Sequence, residues 1–428
     1  MKLEKLKADL AAGAYAAKFT AMYGEANVEA QTARYLAAAD AFVGIYGADR
    51  DVELFSVAGR SEISGNHTDH NRGCVLAASI DLDIIAVASK TDSTVIRIKS
   101  EGFPEDAVDI AAYTAPVESK FFSSESIIAG MAEGFRRNGL AVGGYDAYTT
   151  SNVFKGSGLS SSAAFEDMVG NILNHFYNEG KVDNVDVAKM AQFAENVFFG
   201  KPCGLMDQMA CGVGGFIAID FADPKNPKIE KPAFDLTAAG YSLCIVNTHG
   251  NHADLNEDYA SVPAEMKSVA AFFGCEVLRE VNRDEFMASI AALREKVGDR
   301  AVIRAMHFFA ENDRVAAQAV ALKHGDLDGF FRGVTASGNS SFKYLQNVYT
   351  TKNVHEQGLS LALCLTESFL AGKGGACRVH GGGFAGTIQA FVPHAHVPAY
   401  REMIEKVYGE GSCHVLKVRA EGAVKVSI

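Results

Sequence analysis

The sequence predicts an α+β protein of two domains with a ligand cleft between them. Three observations carry this reading. The chain has 428 residues, too many for one ordinary hydrophobic core, so length alone favours two domains. Strand-like and helix-like segments are mixed in both halves rather than segregated. A glycine- and serine-rich stretch, GSGLSSSAAFED from Gly156 to Asp167, falls between a strand pattern and a helix pattern, a junction where backbone amides can face a ligand.

Each element follows from local pattern. Residues 1–47 read as helices, with apolar residues three and four apart in AQTARYLAAADAFVGIYG. VELFSVAGR and CVLAASIDLDIIAVAS are β-branched and partly alternating, so they read as strands. The polar SEISGNHTDHNRG between them reads as a loop. GYDAYTTSNVF is a strand leading into the glycine-serine stretch, after which Phe165, Met168, Val169, Ile172 and Phe176 share one helix face. VAKMAQFAENVFFG reads as a helix, KPCGLMDQMACGVGG as a loop with a short helical turn, and FIAIDF as a strand. A second half opens near Phe234 with the strand YSLCIVNT and helices through about Leu327. It ends in ACRVHGGGFAGTIQAFV: a strand, a glycine turn, and then a strand or a helix.

Composition narrows the function. A formal charge of −12 argues against a nucleic-acid partner, because phosphate backbones are bound by clustered Lys and Arg. The start, MKLEKLKADLAAGAYAAKF, is amphipathic and lacks the apolar core and cleavage site of a secretory peptide. No window holds about eighteen uninterrupted apolar residues, so no membrane span is expected. The eight cysteines are scattered without C-x-x-C spacing, which suggests neither disulfides nor a zinc knuckle, and a reduced cytoplasm fits.

Read from its residues, the glycine-serine stretch is an anion cradle. Amides from Gly156 to Ser162, with the positive end of the following helix, would face phosphate oxygens. It is not a P-loop, since the Lys of that motif is missing. It is not the dinucleotide G-x-G-x-x-G either, because Ser161 stands where the third glycine belongs. The same residues also read as a flexible turn in which Ser162 or a neighbour caps a helix.

Four ordered motifs then carry a resemblance. GSGLSSSAA resembles the central motif of the galactokinase, homoserine kinase, mevalonate kinase and phosphomevalonate kinase superfamily, the GHMP kinases. GRSEISGNHTDHNRGCVLAASI is similar to the galactokinase signature, VHGGGFAGTIQAFV to the C-terminal glycine motif, and ENVFFGKPCGLMDQMACGVG to the segment with the catalytic aspartate. They run from Gly59 to Val392. The resemblance implies a two-domain GHMP kinase fold with the active site in the interdomain cleft. Residues 1–235, including a helical extension over 1–50, would form the ribosomal protein S5 domain 2-like part, and 236–428 the ferredoxin-like part. It also implies a monomer that uses ATP and Mg²⁺ to phosphorylate the anomeric hydroxyl of α-D-galactose. Two alternatives stay open: a kinase for galacturonate or L-arabinose, and a non-catalytic sensor of galactose and ATP.

By the same resemblance, Asp207 is the catalytic aspartate and Arg60 the partner that keeps it ionised and stabilises charge on the transferring phosphoryl. Without the motifs the two would read as a simple ion pair at a domain seam. Gly156, Ser157, Gly158, Leu159, Ser160, Ser161 and Ser162 would hold ATP. Ser162 and Glu195 would hold Mg²⁺, although Glu195 alone reads as a surface carboxylate. Sugar recognition would fall to Asn66, His67, Thr68, Asp69, Gly204 and Tyr259, with Asp69 accepting two hydroxyls. Tyr259 also reads as a core tyrosine, and His67, Asp69 and His70 together as a metal site.

Three departures from the family pattern stand out. Asn66 replaces the usual Glu, which would ease acceptance of a sugar with a C6 carboxylate or without that hydroxyl. Lys155 adds positive charge before the loop. The chain has no tryptophan, so Phe121 or Phe122 is the aromatic expected near adenine.

Overall fold

The computed structural model describes residues 1–154, 158–250 and 255–428. Three helices lead: α1 (Leu3–Ala11), α2 (Ala16–Tyr23) and α3 (Val28–Tyr46). Strands β1 (Glu53–Ser64), β2 (Cys74–Lys90), β3 (Val95–Ser100) and β4 (Glu105–Asp109) follow, then α4 (Ser124–Arg137), β5 (Tyr145–Ser151), α5 (Ser161–Tyr177), α6 (Asn184–Phe193) and α7 (Met206–Val213). Next come β6 (Phe216–Asp220), β7 (Lys228–Glu230) and β8 (Tyr241–Asn247). The helical stretch is α8 (Asn256–Phe272), α9 (Arg283–Ala288), α10 (Ile290–Val297), α11 (Asp299–Lys323), α12 (Leu327–Ser340) and α13 (Gly358–Leu370). The chain closes with β9 (Ala376–His380), β10 (Thr387–Pro393), α14 (Val397–Tyr408), β11 (Cys413–Leu416) and β12 (Ala423–Val426). The segment after the glycine turn, open between helix and strand in the sequence, is therefore a strand.

Among the described residues, β12-β1-β2-β5-β3-β4 form one sheet, with β6 and β7 continuing from β2. A second, four-stranded sheet has the order β11-β8-β10-β9 and is antiparallel throughout. The last strand, β12, returns from the second half to pair with β1 in the first sheet, so the chain's final residues do not stay with the second half.

Period-two alternation makes both faces of the first sheet apolar. Phe55, Val57, Ile84, Ala86 and Ala88 pack with α4 to α6. Leu54, Ile85, Val87 and Val426 point the other way into a core supplied by Leu6, Phe19, Tyr35 and Phe42. The N-terminal helices therefore cover a sheet face that would otherwise expose apolar side chains to water. They are also pinned by charge: Arg34 donates to the buried Asp83 Oδ1 at 2.6 Å, and Arg419, beside β12, reaches its Oδ2 at 3.1 Å. A third core joins the two sheets, with Ile63, Leu76 and Ile80 meeting Leu243, Ile245, Val334 and Phe391. No helix among the described residues is long and apolar enough to cross a membrane.

Candidate active site

The β1–β2 ladder breaks register between Ala58 and Arg60 and again between Glu62 and Ser64. At the first break the Arg60 N–H leaves the ladder and donates to Leu159 O at 3.0 Å, which seats the glycine-serine loop on the strand. Gly59 allows this approach, since a Cβ there would lie 3.0 Å from that same carbonyl. Ser160 takes a left-handed conformation (φ 59°) at the entry to α5, and its side chain makes no capping hydrogen bond to the helix. The Gly156 and Ser157 positions lie outside the described residues, as does Lys155.

Three elements converge on one carboxylate. Asp207, in the first turn of α7, receives Arg60 Nε at 2.9 Å and Nη2 at 2.7 Å on Oδ1. The Ser160 hydroxyl donates to its Oδ2. A further Arg60 nitrogen, Nη1, donates to Gly158 O. One guanidinium thus ties the strand, the loop and the helix together. Burial disfavours charge on Arg60, yet the Asp207 carboxylate outweighs it and raises its pKa. Arg60 is buried, whereas the Asp207 side chain stays 35% exposed, so the pair opens on the carboxylate side.

Glu195, expected as a metal ligand, is buried just beyond α6 rather than on the surface. It receives Lys201 Nζ at 3.1 Å and Gln208 Nε2 at 2.9 Å. The same amide nitrogen reaches Glu166 Oε2 at 3.0 Å. Burial, and then the charge of Glu195, push the Glu166 carboxyl up to about 8. Ser162 is exposed in the first turn of α5. The surplus of acidic oxygen around Glu195, with an exposed hydroxyl from α5, is a donor set of the hard kind that suits Mg²⁺.

The polar loop after β1 is shaped by its own side chains. The Thr68 hydroxyl lies 2.8 Å from Gly65 O and 2.7 Å from Cys74 O, so Thr68 closes the loop internally and does not face a ligand. Asp69 opens a short turn, half-buried, and a Cβ on Gly204 would lie 2.7 Å from its Oδ2. Glycine at 204 therefore leaves the Asp69 carboxylate its position. Both residues border a cavity of about 330 Å³.

Asn66 departs from its expected place. It is buried, with Nδ2 donating to Glu62 Oε1 and to Gly381 O, both at 2.8 Å. Its Oδ1 accepts from Asn347 at 2.8 Å and Ser341 at 3.2 Å. With donor and acceptor both occupied, Asn66 has nothing left for a sugar's C6 end, because the segment after α12, through Ser341 and Asn347, and the glycine turn close over it. His67 Nε2 donates to Gly382 O at 2.9 Å, and the Tyr259 hydroxyl to Gly383 O at 2.9 Å. The HGGGFAG turn thus braces the first loop through the Gly381 and Gly382 carbonyls and ties to α8 through that of Gly383. Among the described residues no cluster of three or more His, Cys, Asp or Glu could hold a metal, so His67, Asp69 and His70 do not form one.

Helix α11 holds the loop from behind. His307 Nε2 donates to Asn66 O at 3.0 Å, and Glu311 Oε1 accepts from Gly65 N at 2.9 Å. Burial pushes the His307 imidazole down to about 4. For Glu311 burial acts upward, but the charges of His307, Arg314 and Arg378 outweigh it and hold the carboxyl at about 2. None of this brace was legible in the sequence, since nothing in local pattern links 307 or 311 to residue 65. Phe122, expected near adenine, is 69% exposed and meets Phe199 edge-on at 5.4 Å. The link from Ser160 to Asp207 was also missed, because the loop serines read as one phosphate-binding set. Glu62 was overlooked although it stands two residues past Arg60 on a strand, a spacing that puts both on one face.

Comparison with known proteins is consistent across sequence and fold. Residues 126–215 match the family model of the GHMP kinases N terminal domain, and residues 40–90 the galactokinase galactose-binding signature. A galactokinase of Streptomyces coelicolor is 30% identical over 373 residues, spanning 86% of this chain and 91% of that protein. The structure of Lactococcus lactis galactokinase complexed with galactose superposes with a TM-score of 0.73 at 25% identity, covering 90% of this chain and 98% of that one. Methanococcus jannaschii mevalonate kinase, at 13% identity and a TM-score of 0.59, shares the fold over 86% of this chain and 98% of its own.

Proposed function

This chain belongs to the galactokinase family of the GHMP kinases, and from that premise we propose how its cleft transfers the γ-phosphoryl of ATP to the anomeric hydroxyl of α-D-galactose, giving galactose 1-phosphate and ADP. The observation that carries the proposal is the convergence of Arg60, Ser160 and Asp207. Phosphoryl transfer needs alignment, charge neutralisation and an acceptor for the hydroxyl proton. Asp207 Oδ1 is held twice by Arg60, whereas Oδ2 is held by the Ser160 hydroxyl, which can rotate away. Oδ2 is therefore the oxygen that takes the proton of the anomeric hydroxyl as its oxygen bonds to phosphorus. The Arg60 charge stays beside the reacting centre throughout.

Gly158, Leu159, Ser160, Ser161 and Ser162 lead into the N-terminus of α5, whose free amides and positive dipole end favour the triphosphate. Ser162 and Glu195 would hold Mg²⁺, which when bound offsets phosphate charge. Asp69, kept in place by Gly204, accepts sugar hydroxyls, and His67 stands beside it. A pure sensor would have no use for a carboxylate clamped by a buried guanidinium and left open to solvent, so the enzyme reading is favoured.

The test is ADP release from Mg-ATP with galactose, with the product's phosphorus–proton coupling read by NMR. One ADP per galactose and a phosphate on the anomeric carbon are expected. ADP release no greater with sugar than without it overturns the proposal.

A further inference from the structure

Asn66 is saturated, but the carboxylate that saturates it is not. Glu62 Oε1 accepts from Asn66 Nδ2 at 2.8 Å, while Oε2 has no hydrogen-bond partner among the described residues and is not sealed from solvent. Buried carboxylates seldom leave an oxygen free unless something arrives to fill it. Glu62 shares a β1 face with Arg60, two residues away, and feels the charges of Arg378, Arg60 and Asp69. It therefore stands on the line from the reacting centre to the loop that carries Asp69. Burial pushes its carboxyl up to about 7 against the pull of Arg378 and Arg60. A donor hydroxyl brought to Oε2 would favour the ionised form.

Resting on the sugar-kinase reading above, we propose that Glu62 is a sugar-binding residue, its Oε2 accepting a hydrogen bond from a hydroxyl other than the one phosphorylated. The site then takes a neutral, fully hydroxylated hexose. A uronate would bring its own carboxylate against Glu62, which already feels the charge of Asp69. The vacancy suggested by a neutral residue at 66 is thus filled from four residues upstream, and galacturonate is the substrate the site excludes.

The experiment compares the full-length wild type with Glu62→Gln, using titration calorimetry for sugar binding and ADP release for turnover. Probes are galactose, a set of monodeoxygalactoses and galacturonate. Glu62→Gln is expected to weaken galactose binding about tenfold or more, the effect of losing a hydrogen bond to a charged acceptor. Saturating kcat should stay within about threefold and KM for ATP unchanged, since the lost contact is uniform binding. One monodeoxygalactose should bind both proteins equally, identifying the hydroxyl. Galactose Kd within about twofold of wild type in a folded Glu62→Gln overturns the inference. So does wild-type turnover of galacturonate as efficient as that of galactose, a result that needs no variant. Failure of the underlying reading looks different: the wild type itself would release no ADP with galactose, and the inference would fall with it.

Discussion

Replacing Asp207 with asparagine keeps the side chain's shape while removing its charge and its capacity to take a proton. In the structure Oδ1 receives two Arg60 donors and Oδ2 the Ser160 hydroxyl. An amide can keep its oxygen on Arg60 and donate its nitrogen to the Ser160 hydroxyl, which then turns to accept, but it has no anionic oxygen left for the anomeric proton. Loss of a positioned proton acceptor typically costs about 10²–10⁴ in rate, or roughly 3–5 kcal/mol of transition-state stabilisation. Stability should suffer less. A buried pair broken on one side would cost about 3–5 kcal/mol, but Asp207 is more than a third exposed and water screens the orphaned Arg60, so about 1–3 kcal/mol is expected. Coupled ADP release gives kcat, calorimetry gives galactose Kd, and urea unfolding gives stability. The expected pattern for Asp207→Asn is kcat down by at least about a hundredfold with sugar Kd within about threefold. A loss of kcat below tenfold, or one matched by an equal loss of sugar binding, would refute the role assigned to this carboxylate.

Gly204→Ala should raise galactose KM about tenfold with ATP KM unchanged, because the new methyl lies 2.7 Å from Asp69 Oδ2 and must push that carboxylate aside; equal effects on both substrates would contradict it. Glu195→Gln should raise the Mg²⁺ concentration needed for half-maximal rate about tenfold, read from a metal titration at fixed ATP, and an unchanged titration would remove Glu195 from the metal site. The His307 brace makes the fold acid-labile. Its imidazole titrates near 6.5 when unfolded and near 4 when folded, so the unfolded chain binds the proton first and stability falls as pH drops from 6.5 to 4. That loss is on the order of 3 kcal/mol, and Glu311, held at about 2, adds a further loss below 4.5. Urea unfolding at pH 7, 5.5 and 4 tests this, and His307→Asn should flatten the upper part of the profile.

Much of the fold was legible in the chain because its signals are local. The change from three-and-four spacing to alternation marks where α3 ends and β1 begins, and glycines with serines mark the entry to α5. What local pattern could not settle was the strand after the glycine turn: β10 is a strand because β8 and β9 flank it on both sides, a fact of pairing partners. The return of β12 to β1 was invisible for the same reason.

The candidate site divides likewise. Residue types and spacing alone determined which chemistry the chain can carry: a carboxylate, a guanidinium, a loop of amides and hydroxyls. Tertiary structure decided which atoms meet. It put Ser160 on Asp207, turned Asn66 into a buried strut and left an oxygen of Glu62 open. The physical reason is that hydrogen bonds between residues 60 and 207, or 66 and 347, depend on how separate elements pack, and packing is a property of the whole core that no short window of sequence contains.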